Sequence, residues 1–535
     1  METDIASANC IISDSKLVHP DLPLVQTFLS EAADCHQAAK YLLRRCAGDT
    51  DGTEFARFVA DWKALIKMFL TKHLNSNYLD RATKRAIAQR DDYKCCITGT
   101  RARFWNAWDI FPILPLTAFH IREGRLYDML GAFIAPSQRG LLLSCTETNS
   151  ANSVQNHWLL SKEAADAFSK AEIKLKRLDG HLYDVDYTDV GGKPAIFTND
   201  RWNRWRCRLA NHSHSKIGTP NPELLEIHCR FSKALRWTKV AADMKKYPHP
   251  GHTQTGKSRS RFEPLINGLL AMWLTFPDKI RLLAYKTLKA AGLYLYEPTT
   301  MGVQRLPFGM YLKHGPVFNF EGHAAEFGAL KLVRSYTSIP VPRPIDLIST
   351  SESSFLVTSR IQGDPAGLCI DEYSDYDLGL IAKDLRKYIA ELRAIKKTID
   401  PKHAISNAIG EGCLDYRIND VSVGPFLSEK QFSKFLSLGL APDFIHLVHG
   451  DGHEIVFTHA DLNMRNILVR NGRISGIVDW ENSGWYPEYW EYTKCHFGVR
   501  RDKRWLKMVV EPVFEGKYRE ELRIERQLWD FDGPF

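Results

Sequence analysis

Asp461, Asn466 and Asp479 stand close together in two short stretches, HADLNMRNIL (His459 to Leu468) and IVDWE (Ile477 to Glu481). Moving a phosphoryl group from a nucleotide asks little covalent help of a protein. It needs a carboxylate beside the incoming hydroxyl and oxygen ligands that hold Mg²⁺ on the phosphates. Asp461 suits the first task. Asn466 and Asp479 suit the second, because Mg²⁺ prefers hard oxygen ligands. The chain around them reads strand (HEIVFTHA), polar loop (DLNMRN), strand (ILVR), turn (NGR) and strand (ISGIVDW), so Asp461 and Asp479 fall at neighbouring loop ends where their carboxylates can converge. The competing reading is a polar hairpin loop with unrelated acids.

Other elements must position these groups. Upstream, QRLPFGMYLKHG (Gln304 to Gly315) alternates as one strand and sets Lys313 opposite its apolar neighbours. After a loop, AAEFGALKLVRSYTSIPVPRPIDLI places Glu326 early in an amphipathic helix whose apolar positions Phe327, Leu330 and Val333 recur at helical spacing, ending before Pro340. Glu326 can therefore pair with Lys313.

Together these residues resemble the aminoglycoside phosphotransferase and choline kinase-like family, whose catalytic loop usually runs His-Gly-Asp, four residues, Asn, with a metal-binding Asp after a short hairpin. Ala460 stands where glycine is usual. The resemblance implies that Asp461 is the catalytic base, that Asn466 and Asp479 hold Mg²⁺, that His459 braces the loop, and that Lys313, oriented by Glu326, meets the α- and β-phosphates of ATP. SSFLVTSRIQGDPAG (Ser353 to Gly367) looks like the last strand and hinge of an N-terminal lobe, with adenine bonding to backbone between Ser359 and Ile361. No GxGxxG covers the phosphates; LYEPTTMGVQRLP offers Thr299, Thr300 and Gly302 as contacts. Flanking segments, among them FPDKIRLLAYKTLKAAGLYLY, TSIPVPRPID and ENSGWYPEYWEY, narrow the resemblance to phosphotransferase-like proteins abundant in filamentous fungi and extend it over roughly residues 265 to 500. The run Trp485, Tyr486, Tyr489, Trp490 and Tyr492 has two readings: an acceptor pocket working by cation–π attraction, or the core of the C-terminal lobe.

The chain of 535 residues is too long for one core and suggests two or three domains. Its 44% hydrophobic, 11% aromatic and 25% charged residues supply packed cores and exclude large-scale disorder. METDIASANC lacks a basic then apolar signal pattern, and no run of about 18 apolar residues occurs, so a soluble cytoplasmic protein without a membrane partner is expected. A net charge of +8 suits anionic substrates such as nucleotides without implying nucleic-acid binding. MKKYPHPGHTQTGKSRSRFEP (Met244 to Pro264) reads as an exposed basic linker, with nuclear import or nucleic-acid contact as its other reading.

The first 240 residues differ. Helical patterning marks Leu22 to Cys46 and Glu54 to Leu74, with a third helix to follow. RDDYKCCITGT (Arg90 to Thr100) reads as a β-hairpin, followed by WDIFPILP and LLLSCTETNSANSVQNHWLLSKEAADAF. This order resembles the fungal HNH-endonuclease-like domain over roughly residues 85 to 240, with PNPELLEIHCRFSKALRW (Pro220 to Trp237) as its closing helix. Such a site needs a base His, an orienting Asn and a metal His. Here Asp109 stands at or beside the first place, Asn156 near the second and Ala165 at the third; His120 and His157 match no register and read as ordinary loop histidines. An alanine binds no metal, so an HNH-like fold without nuclease activity is expected.

The resulting expectation is an α/β (α+β) chain: a helical region (1–84), an inactive HNH-like ββα region (85–240), a basic linker (241–264) and a bilobal protein-kinase-like domain (265–535). Its expected activity is ATP- and Mg²⁺-dependent phosphorylation of a hydroxyl on a small molecule. A nucleic-acid-binding or nuclease protein and a nucleotide-binding pseudokinase scaffold are the alternatives. The acceptor itself is not legible, because the charged, irregular stretch from Asp371 to Leu440 outlines no pocket.

Overall fold

The structure, a computed structural model, describes residues 2–69, 79–101, 108–115, 123–144, 154–188, 190, 205–213, 217–246, 263–296, 302–437, 452–499 and 502–532. The chain forms two compact units, Met1–Pro248 and His249–Phe535, of mixed α and β structure. Among the described residues no helix is long and apolar enough to cross a membrane.

The first unit opens with helices α1 (Glu2–Asp14), α2 (Asp21–Ser30), α3 (Cys35–Arg45), α4 (Thr53–Met68) and α5 (Arg81–Arg90). The helix expected over Leu22 to Cys46 is thus two helices. The Asp34 carboxylate accepts the N–H groups of His36 and Gln37 at 2.8 and 3.2 Å, starting a new helix where the pattern alone shows none. Strand β1 (Trp108–Pro112) precedes α6 (Arg125–Phe133) and α7 (Pro136–Ser144), and pairs antiparallel with β2 (His157–Ser161). Helix α8 (Lys162–Ser169) follows at once, started by the Ser161 hydroxyl, which accepts the Ala164 N–H. An antiparallel sheet of β3 (Ile173–Asp179), β4 (Leu182–Tyr187) and β5 (Trp205–Arg208) then leads to α9 (Pro222–Lys246). That helix runs into the expected linker, of which residues 247–262 lie outside the described residues. Phe28, Phe58, Trp62, Phe133 and Phe231 interlock at the centre of the core.

The hairpin expected at Arg90 to Thr100 is a turn with a single bridge, Lys94 to Arg101. Its start serves another purpose. Arg90 is fully buried, donates to both Asp91 carboxylate oxygens, and also donates to the carbonyls of Val154, His157 and Gly218; Asp91 in turn accepts the Leu159 N–H at 2.9 Å. This ion pair ties α5 to β2.

The second unit has two cores. Helices α10 (Glu263–Leu274) and α11 (Asp278–Leu295) lead to an antiparallel sheet ordered β6 (Val303–Leu306), β7 (Met310–Pro316), β9 (Ser353–Ser359) and β8 (Pro344–Ser349). The single strand expected over Gln304 to Gly315 is therefore a hairpin. Pro307 has no N–H for a ladder, and Phe308 and Gly309 turn the chain at φ of 62° and 70°. Tyr285 of α11 packs on Leu306, Leu312, Ile348 and Val357, and buried Asp346 accepts from Arg281 and from the Tyr285 hydroxyl. Between β7 and β8 runs α12 (Phe320–Tyr336), whose buried face holds His323, Glu326, Leu330 and Val333; Phe327 is only half buried.

The larger core gathers around α13 (Asp375–Arg393). A short β10 (Asp364–Pro365) joins β15 (Ile467–Arg470) and β16 (Arg473–Ile477); β11 (Ser406–Asn407) and β14 (Ile455–Thr458) flank β17 (Gly484–Pro487); β12 (Cys413–Asp415) and β13 (Asn419–Val423) form a hairpin. Helices α14 (Glu429–Leu436), α15 (Trp490–Gly498) and α16 (Arg519–Asp532) complete it. Arg473 grips Asp384 of α13 with two donors, which docks the β15–β16 hairpin. His453 staples α14 to α16, its ring nitrogens lying 2.6 Å from Glu429 and 3.2 Å from Glu521.

Two stability tests follow from these buried charges. Asp91→Ala strands Arg90 without a counter-ion, and is expected to lower the unfolding free energy by roughly 3–5 kcal/mol in a urea titration. Partial burial opposes protonation of His453, but its bonds to the two carboxylates outweigh this and raise its pKa above 6.5. Its contribution is fully present below pH 6.5 and is lost as pH rises through the folded pKa. The gap in unfolding free energy between wild type and His453→Gln should accordingly be widest in mild acid and close on the alkaline side.

Candidate functional site

Lys313 of β7 sits at the centre of an acidic cluster. Its ammonium lies 2.6 Å from Glu326 of α12, in direct contact with Asp479, and 3.8 Å from Glu481. Strand and helix supply two of these groups; the segment following β16 supplies the other two. One oxygen from each of Glu326, Asp479 and Glu481 falls within 4.8 Å of the others. At an effective dielectric of about 20, two carboxylates 4.8 Å apart repel by about 3.5 kcal/mol. One ammonium neutralises only one of three such charges, so the set of hard oxygen donors suits a divalent cation. Burial works against the Lys313 charge, yet the three acids hold its pKa well above the ordinary value. Burial and the neighbouring acids push Glu326 up. Asp479 stays low, because contact with Lys313 outweighs its burial. Glu481 was not among the ligands expected from sequence; its signal is its place two residues beyond Asp479.

The loop joining β14 to β15 carries Asp461. Asn466 donates its amide to the Asp461 backbone oxygen at 2.9 Å and to its carboxylate at 2.8 Å. With the NH₂ spent there, the amide oxygen is what remains for a cation. His459 accepts the Asp461 N–H at Nδ1 and donates from Nε2 to the Val478 carbonyl, which links the loop to the turn bearing Asp479. That pattern belongs to a neutral ring, and burial lowers the His459 pKa accordingly. Ala460 and Asp479 have φ of 61° and 69°, a region that costs a side-chain-bearing residue roughly 1–2 kcal/mol. Glycine is at home in that conformation.

Helix α15 grips the loop from behind. The buried Glu491 carboxylate accepts the N–H groups of His459 and Ala460 at 2.8 and 3.3 Å, and burial pushes its pKa up to about 7. Cys495 donates to the Leu462 carbonyl. Lys494, also buried, lies 2.8 Å from Asp415 and 3.9 Å from Asp461. Sequence reading missed Glu491 and Lys494, since one stands inside the aromatic run and the other just beyond it. Of the two readings of that run, the structure supports the core: Trp485, Tyr486, Tyr489, Trp490 and Tyr492 are each at most 2% exposed. None offers a face to an acceptor.

At the expected hinge, the Ser359 N–H donates to the Arg343 carbonyl and the Arg360 N–H to that of Gly309. Ile361 packs against Gly476, where a Cβ would come within 2.6 Å of its side chain. Gly302 lies at φ 85° and accepts from the His314 N–H; Thr299 and Thr300 fall outside the described residues.

In the first unit, Asp109 lies exposed on β1 and accepts its own neighbour's N–H, from Ile110. Asn156 is buried, its amide spent on both polar groups of the Leu114 backbone. Ala165 is buried in α8. His157 is not a loop residue: it is buried at the start of β2. His120 lies outside the described residues.

Ala460→Gly should relieve the left-handed strain at the loop, with a gain of about 0.5–1 kcal/mol after allowing for the freer unfolded chain, read from denaturant midpoints.

Comparison with known proteins matches residues 312–522 to the phosphotransferase enzyme family, all within the second unit. An aminoglycoside 3'-phosphotransferase of Enterococcus faecalis is 26% identical over 173 residues, 31% of this chain and 61% of that protein. The chain thus spans under two thirds of the length of this relative. Among solved structures, the aminoglycoside phosphotransferase APH(3'')-Id of Streptomyces rimosus, in complex with ADP and streptomycin, is 19% identical with a TM-score of 0.32, covering 46% of this chain and 97% of its own. The macrolide 2'-phosphotransferase MphH of Brachybacterium faecium is 17% identical with a TM-score of 0.29, covering 42% and 77%.

Proposed function

We propose, from a C-terminal half that carries a phosphotransferase-family domain, that this protein transfers the γ-phosphoryl group of ATP, with Mg²⁺, to a hydroxyl of a small molecule. The observation that carries the reading is the convergence on Lys313 of Glu326, Asp479 and Glu481, with Asp461 and Asn466 on the loop that His459 ties to the Asp479 turn. The Enterococcus faecalis relative is named for phosphoryl transfer to aminoglycosides, which favours a small-molecule acceptor.

In this reading Lys313, steered by Glu326, holds the α- and β-phosphates. Asp479, Glu481 and the Asn466 amide oxygen would hold Mg²⁺, which when bound supplies positive charge to the phosphate oxygens. The acceptor oxygen attacks the γ-phosphorus, the bond to the ADP oxygen breaks, and the hydroxyl proton passes to the Asp461 carboxylate. Asn466 aims that carboxylate by donating to one of its oxygens. At the hinge, the Ser359 and Arg360 N–H groups are committed, so in this reading the Ile361 N–H is the donor to adenine. No catalysis is assigned to the first unit, where the Asn156 amide is engaged by Leu114 and Ala165 brings no ligand atom.

Mg·ATP is expected to raise the unfolding midpoint of the full chain. Asp479→Ala should abolish that rise. Asp461→Asn should keep it, yet lose about 10²–10⁴-fold in ADP release with a productive hydroxyl acceptor. A rise without turnover over a broad acceptor panel would favour a nucleotide-binding scaffold; no rise at millimolar Mg·ATP would sink the reading.

A further inference from the structure

The β12–β13 hairpin turns beside the acidic cluster and sends three consecutive side chains to fixed partners. Asp415 is buried and accepts from Lys494 at 2.8 Å, from Arg417 at 3.1 Å and from the Trp490 indole at 3.0 Å. Arg417, also buried, reaches Glu525 at 3.1 Å and the Thr493 hydroxyl at 3.0 Å, with its guanidinium 4.1 Å from the Trp490 ring centre. Tyr416, held between them, is 47% exposed, and its hydroxyl donates to Glu481 Oε1 at 3.2 Å. The other Glu481 oxygen, Oε2, lies 3.8 Å from Lys313.

This division of labour has a physical meaning. A carboxylate with one oxygen tied down presents the other in a fixed direction. Partners of this kind orient metal-binding groups, and losing one typically costs about 10–100-fold in metal affinity or activity. Tyr416 is well placed for the task because its two chain neighbours are anchored by full ion pairs, so the phenol is carried on a rigid turn. Its partial burial and the adjacent Glu481 carboxylate raise its pKa above the ordinary tyrosine value, which keeps the hydroxyl a donor.

We propose that Tyr416 is a positioning residue for the cation site: its hydroxyl holds Glu481 Oε1 so that Glu481 Oε2 faces the Lys313 cluster, ready for a divalent cation. The assignment rests on the phosphotransferase reading and extends it to the hairpin, a part of the chain in which no site was legible from sequence. The same turn reaches the base side as well, because Asp415 holds Lys494 and Lys494 lies 3.9 Å from Asp461. Cation site and base are thus referred to one anchored turn.

The test uses Mn²⁺ as the probe, with electron paramagnetic resonance reporting its binding to the full chain in the presence of ATP. Tyr416→Phe keeps the ring and removes only the hydroxyl. It is expected to weaken Mn²⁺ uptake about 10–100-fold while leaving the affinity for metal-free ATP and the ligand-free unfolding midpoint unchanged. Glu481→Gln should weaken uptake at least as much, and adding Tyr416→Phe to it should cost nothing further, because the hydroxyl then has no ligand to orient. Wild-type uptake retained by Tyr416→Phe, or losses that multiply in the double variant, would overturn the assignment and leave the phosphotransferase reading standing. Failure of the wild-type chain to take up Mn²⁺ with ATP would overturn both.

Discussion

Three carboxylates share one ammonium in the second unit, and much of the surrounding architecture can be understood as the means of holding them there. Left to themselves Glu326, Asp479 and Glu481 would separate, since each pair repels and Lys313 neutralises only one of them. Lys313 comes from a strand paired on both sides, Glu326 from the buried face of a helix packed on that sheet, and the other two from a turn whose flanking hairpin is docked to α13 by Arg473 and Asp384. Each charge stays because its element is fixed by contacts outside the cluster. The excess negative potential at their centre is the natural seat for a cation.

The loop bearing Asp461 poses the converse problem, a polar segment that must hold one shape without a ladder of its own. Helix α15 solves it by presenting a buried acid to two loop N–H groups and a thiol to a loop carbonyl. The aromatic residues before and within that helix are the material that keeps it in place. Tyr486 and Trp490 stack with ring centres 5.6 Å apart, and Phe457 meets Trp485 edge-on at 4.9 Å. Removing such apolar surface from water favours association strongly and without direction; the few polar atoms set the direction. Around the loop, left-handed backbone falls on Ala460 and on Asp479, where the chain turns at the site.

Much of the second unit is legible in the sequence. The alternation from His453 to Trp480 and the Asn471–Gly472 turn yield strand, loop, strand, turn and strand, and the structure has β14, β15 and β16 there. Lys313 and Glu326 were legible as a strand lysine and a helix acid. The misses share a cause. Asp34 begins a new helix through a side-chain bond that periodicity does not record. Pro307 to Gly309 interrupt an alternation that continues in phase on either side. The Arg90–Asp91 pair and the Glu491 carboxylate are charged groups in cores, where composition argues against finding any.

The sequence by itself determined which chemistry is available: a base candidate, hard oxygen donors and a strand lysine, at spacings set by strand and helix periods. It also marked the aromatic segment as important without deciding between pocket and core. Only the tertiary structure decided which charges meet. Glu481 joins Lys313, Tyr416 reaches Glu481, and Lys494 stands between Asp415 and Asp461. The physical reason is range. Periodicity and turn chemistry act over a few residues, whereas these contacts join groups far apart in the chain, and their geometry comes from how buried surfaces stack.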